Sequence, residues 1–191
     1  MPIWEKQPPA TIQGVIDATP TGGFADLKNY QETNAGTITV DRPMAIIGGD
    51  IDGGAGTTPV VNVTADHLQI SGMRLTATGT RQLIKFSGNF GTVNACQLSG
   101  YAGIVLDSTA TYCVVTSNVI TNVADNGIYM SSGRHCTISN NVIHGGVGHS
   151  GIKARGWGIT ITNNVIYDMP IGITVTGNDG SEFPDWLAQH D

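Results

Sequence analysis

The sequence predicts an all-β protein, a parallel β-helix of about six to seven stacked coils, and two repeating patterns carry that prediction. The first is a six-residue segment: Ile70-Ser-Gly-Met-Arg-Leu75, Val93-Asn-Ala-Cys-Gln-Leu98, Val115-Thr-Ser-Asn-Val-Ile120, Ile138-Ser-Asn-Asn-Val-Ile143 and Ile161-Thr-Asn-Asn-Val-Ile166. Their first residues lie 23, 22, 23 and 23 apart, and a further step of 23 back from Ile70 reaches Ile47-Gly-Gly-Asp-Ile-Asp52. The second pattern lies between them: Thr37-Ile-Thr-Val40, Val60-Val-Asn-Val63, Leu83-Ile-Lys-Phe86, Gly103-Ile-Val-Leu106, Gly127-Ile-Tyr-Met130, Gly151-Ile-Lys-Ala154 and Gly172-Ile-Thr-Val175. In each, the second and fourth residues are apolar, apart from the small Ala154, while the third varies. That alternation is a strand with one buried and one exposed face.

Two strand columns sharing a repeat near 23 residues do not fit a hairpin meander. A helical solenoid is excluded, because no window sustains a 3.6-residue period and glycine interrupts every repeat. A coil that returns to the same place each turn remains. Successive strands then pair in parallel ~4.8 Å apart and like residues stack on like. Ile104, Ile128, Ile152 and Ile173 are expected inside, as are Val115, Ile138 and Ile161. Asn118, Asn141 and Asn164 fall in one column at a bend, where side-chain amides bond along the stack and satisfy turn backbone groups. His67, Phe90, Tyr112 and His135 form another column, read as rings that support the coils. Cys113 and Cys136 also stack and read as two small buried hydrophobes.

The 191 residues fit one domain, with 26 glycines for small turns and only 13% charged residues, about half the usual share. Apolar β-formers throughout the middle exclude disorder. The net charge of −6 and nine scattered Lys and Arg residues offer no basic patch, so no nucleic acid is expected. No apolar run approaches the ~18 residues of a membrane span. The opening Met-Pro-Ile-Trp-Glu-Lys-Gln-Pro-Pro has no apolar signal core, so export is not expected. Cys96, Cys113 and Cys136, an odd number, point to reduced thiols. Without a CxxC or CxxH pair no zinc site is supported, and no cofactor is expected.

With Ile-Ser-Asn-Asn-Val-Ile repeats and intervening Gly-Ile-x-apolar strands, the chain resembles the right-handed parallel β-helix superfamily of pectate lyases, periplasmic nitrous-oxide-maturation-type repeat proteins and phage tailspikes. The resemblance covers roughly residues 36–177 and implies the right-handed sense. It says little about function, since one scaffold hosts many. The expected organisation is an N-terminal cap or docking arm (1–35, with Trp4, Ile12, Val15, Ile16, Phe24 and Leu27), the β-helix (36–177) and a C-terminal tail or cap (178–191, with Phe183, Trp186 and Leu187). Both ends need covering, because a β-helix leaves an unpaired strand at each.

Chemistry on such a scaffold is expected on outward strand positions. An offset of 24 sets Asp125 beside His149, Tyr129 beside Lys153 and Ser131 beside Arg155, next to the glycine-rich Gly145–Ser150 turn. A β-elimination lyase would use Lys153 or His149 as base and Arg155 to neutralise a uronate carboxylate. The plainer reading is a solvated outer face. A glycosidase needs two carboxylates ~5–9.5 Å apart, and Asp125 has no acidic neighbour in its column, with Asp107 in a turn a weak partner. Gly48–Gly54 faintly echoes a calcium-binding β-roll, but occurs once and reads as a tight turn.

Three functions remain open. The first is a structural virion protein of a bacteriophage, in a tail tip, spike or capsid decoration, assembled in the host cytoplasm as a trimer with other virion proteins. The second is a polysaccharide lyase or depolymerase acting on acidic glycans. The third is a non-catalytic module binding surface glycans.

Overall fold

The computed structural model describes residues 11–33 and 35–176. They form seven coils whose strands make three parallel sheets of seven strands each. The first sheet runs from Phe24–Asp26 to Thr160–Thr162, the second from Gln31–Thr33 to Val165–Tyr167, and the third from Ile38–Val40 to Ile171–Thr176. From Ile70 onward stacking follows the predicted registers; one coil earlier Ile46, not Ile47, pairs with Ile70, because a bulge between Asp52 and Ala55 adds one residue to that coil. Val93, Val115, Ile138 and Ile161 are successive partners in the first sheet, and Ile104, Ile128, Ile152 and Ile173 in the third. All but the last of each series are buried.

The six-residue repeat is two short strands rather than one, so the expected two columns become three sheets. The cause is a left-handed residue in its middle: Gly72, Ala95, Ser117, Asn140 and Asn163 have φ between 52° and 66°. Such a residue turns the chain sharply and ends the strand. The next position holds the asparagine column. Asn141 Oδ1 accepts both the main-chain N–H and the Nδ2 of Asn118 at 3.0 Å, and Asn141 Nδ2 donates to Val115 O at 3.1 Å. Asn164 repeats this toward Asn141. Each amide thus bonds the corner of the coil before it, and Asn118 and Asn141 are wholly buried at no polar cost.

The ring column is a second left-handed corner. His67, Phe90, Tyr112 and His135 have φ of 52–55°, and their rings stack at 4.9, 5.1 and 5.0 Å. At the next turn Gly158 (φ 62°) lies against the His135 ring, leaving no room for a side chain. The ring faces are spent on one another, which fits coil support rather than a sugar platform.

The segment 1–35 contributes more than an arm. Phe24–Asp26 and Gln31–Thr33 pair with Ala45–Ile47 and Asp50–Gly56 as the first coil, with Leu27 buried and Phe24 facing solvent. A helix, Ile12–Ala18, precedes them, started by Thr11 accepting the Gly14 N–H, and buries Ile12 and Ile16. Trp4 and the 178–191 tail with Phe183, Trp186 and Leu187 lie outside the described residues. Among the described residues no helix is long and apolar enough to cross a membrane.

Candidate functional site

The outer face of the third sheet holds the cluster expected from sequence. Tyr129 and Lys153 are register partners, and the Lys153 Nζ stands 6.0 Å from the Tyr129 ring centroid, the outer limit of a cation–π contact. Arg155 faces a bulge, because the register shifts between Met130 and Gly133 and both Ser131 and Ser132 oppose it. The one-to-one pairing of Ser131 with Arg155 is therefore replaced by two against one. The Arg155 Nε has no hydrogen-bond partner among the described residues.

Asp125 and His149 are neighbours through the main chain: the His149 N–H donates to Asp125 O at 2.9 Å. The Asp125 carboxylate instead accepts from Asn126 Nδ2 at 2.7 Å, and Asn126 Oδ1 in turn accepts the Ser150 N–H at 3.3 Å. These bonds hold one coil on the next. In the Gly145–Ser150 turn, Gly146 and Gly148 are packed against the preceding and following coils. A side chain at Gly148 would run into the Ala124 and Asp125 backbone, so this glycine allows coils to approach rather than a ligand. What the cluster can do is hold an anionic group between two outward cations.

The other candidates resolve into structure. The Gly48–Gly54 segment is a turn only at the left-handed Gly48 and Gly49; from Asp50 it is strand, where the Asp50 carboxylate pairs with Arg74 at 2.9 Å and Asp52 accepts the Gly54 N–H at 2.9 Å. Asp107 pairs with Lys85 on the preceding coil at 2.9 Å, and that hydrogen bond holds its carboxyl below the usual carboxylate range.

Two surfaces were missed from sequence. An open groove of about 450 Å³ lies on the N-terminal half of the third sheet, lined by Thr37, Thr57, Thr58, Pro59, Asn62, Gln82 and Lys85. Arg81 holds the backbone of Thr58 and Pro59 in its wall from behind. Buried at 3% exposure, it donates to the carbonyls of Ala35, Gly36, Gly53, Thr58 and Pro59. Five carbonyls satisfy the five donors of a guanidinium, so this buried cation has no need of a carboxylate.

The second surface is the outer face of the second sheet. One outward column reads Asp50, Arg74, Gln97 and then Val119, Val142, Val165. Val119 is 40% and Val165 56% exposed, and beside them His144 and Tyr167 stack at 4.6 Å. The signal lay in the fifth position of the six-residue repeat, which changes from polar to valine halfway along the chain.

A family model described as right handed beta helix region matches residues 102–188. No curated protein and no solved structure matches the chain.

Proposed function

We propose that this chain, a member of the right-handed parallel β-helix superfamily, is a non-catalytic structural protein that docks side by side with flat partners, as part of a bacteriophage virion. The observation that carries the reading is the valine column Val119, Val142 and Val165, flanked by Tyr167. A contiguous apolar strip running along the stack has the shape of a lateral β-surface contact, and water alone is a poor partner for it. Its polar continuation through Gln97, Arg74 and Asp50 gives the strip a rim at one end. The phage setting and the expected trimer both rest on the resemblance to tailspikes, where such helices associate about a threefold axis, one of the closed symmetries that oligomers adopt. The tail tip, a spike or a capsid decoration would each use such a face.

The test is solution mass by size-exclusion light scattering. A trimer is expected, converted to monomer by Val142→Lys with Val165→Lys at unchanged circular dichroism. A monomeric parent chain at high concentration, without other proteins, would overturn lateral self-association.

A lyase is the second reading, favoured by Lys153 and Arg155 facing outward without an ion pair among the described residues, whereas Lys85 is paired. Cleavage of an acidic polysaccharide, read as the ultraviolet absorbance of an unsaturated product and lost in Lys153→Ala, would support it and displace the structural reading.

A further inference from the structure

Two of the three thiols share a corner of neighbouring coils, and nothing in the docking role uses them. Cys113 precedes the strand Val114–Thr116 and Cys136 the strand Thr137–Ser139, which pair in register from Val114↔Thr137 onward. Neighbouring parallel strands lie ~4.8 Å apart, within the ~4.4–6.8 Å between Cα atoms that a disulfide spans. The Cys113 N–H donates to the Cys136 Sγ at 3.4 Å. Both are free and buried.

We propose that Cys113 and Cys136 are an oxidisable dithiol that closes to a disulfide between adjacent coils, a covalent staple available once the folded chain meets a peroxide-class oxidant. The inference does not depend on the docking reading.

The two sulfurs are unequal. The adjacent Cys113 side chain, and then its main-chain N–H, which donates to Cys136, bring the Cys136 thiol down to about 7, while Cys113 is pushed up by the same contact. Cys136 is thus the first to ionise and the attacking group. Its thiolate attacks one oxygen of hydrogen peroxide, the O–O bond breaks, and the departing hydroxide takes a proton to leave as water. Cys136 is then a sulfenic acid. The Cys113 sulfur attacks that sulfur, the S–S bond forms, the S–O bond breaks, and a second water leaves with the thiol proton. Two sulfurs are oxidised and one peroxide is reduced to two waters.

Cys96 is a built-in control. It sits in the asparagine column, where its N–H donates to Asn118 Oδ1 at 3.0 Å, and burial pushes its thiol up to about 11.

The experiment treats the folded chain with stoichiometric hydrogen peroxide, then denatures it, counts thiols and maps them by mass spectrometry. The expected result is a fall from three thiols to one, Cys96, with a mass lower by two hydrogens. The thermal midpoint should rise, and a reductant should reverse both changes. Cys96→Ser should still lose both remaining thiols, whereas Cys136→Ser should lose none. Three surviving thiols, a mass gain of oxygen at either cysteine, or a cross-link between chains would overturn the proposal. Should Cys136→Ser fail to fold, the parent chain and Cys96→Ser still decide it.

Discussion

The two ends of the stack receive the same kind of edge and treat it differently. At the N-terminal end, Ile12 and Ile16 of the helix Ile12–Ala18 close the first coil at 1% exposure each. Gln13 also copies a missing strand: its Oε1 accepts the Thr39 N–H at 2.8 Å and its Nε2 donates to Thr39 O at 3.1 Å. Glu32 accepts the Ile12 N–H at 3.0 Å, tying the helix start to the first coil. At the other end no described residue covers the last coil. Ile173 is 47% exposed, although Ile104, Ile128 and Ile152 in the same column are fully buried. The identical residue at the identical position is core or surface according to whether a coil or cap lies above it. Burial in a β-helix is a property of the neighbour, as expected when each repeat contacts only the next.

Five substitutions bear on that contrast. Ile128→Ala leaves a cavity that adjacent coils cannot fill and should cost about 2–5 kcal/mol in denaturant unfolding. Ile173→Ala should cost well under half as much, and equal costs would show that the last coil is covered in solution. Asn141→Ala strips partners from the buried Asn118 N–H and amide and should cost about 1–3 kcal/mol. The same change at Asn164, nearer the open end and only partly buried, should cost less. Gln13→Ala exposes one edge strand of the capped end and should cost about 0.5–1.5 kcal/mol, with end-to-end association detectable by light scattering. An unchanged midpoint in Gln13→Ala would mean that water serves Thr39 as well.

The candidate site shows where legibility failed. The pairs Tyr129–Lys153 and Asp125–His149 followed from an offset of 24, because stacking is a nearest-neighbour relation and period fixes neighbours. The bulge opposite Arg155 did not follow, since a two-against-one register is an interruption of the period. Nor did the role of Asp125, whose carboxylate is turned to Asn126 and the coil junction instead of toward His149. Arg81 was invisible for a stronger reason: its five carbonyl partners lie 22 to 46 residues away, in unrepeated loops and at the bulge of the strand Asp50–Gly56.

The sequence alone determined the parallel stack, its period, the interior columns and the asparagine and ring ladders, because each is a residue type recurring at the spacing that brings it onto its own copy. Only the tertiary structure decided that each repeat splits into strands of separate sheets, that Gln13 and the helix Ile12–Ala18 cap one end, and that Ile173 stands half open at the other. Those features depend on single left-handed residues and on unrepeated segments folding back. A periodic pattern carries information about what it repeats, and a cap, a clamp or a corner is made by what it does not.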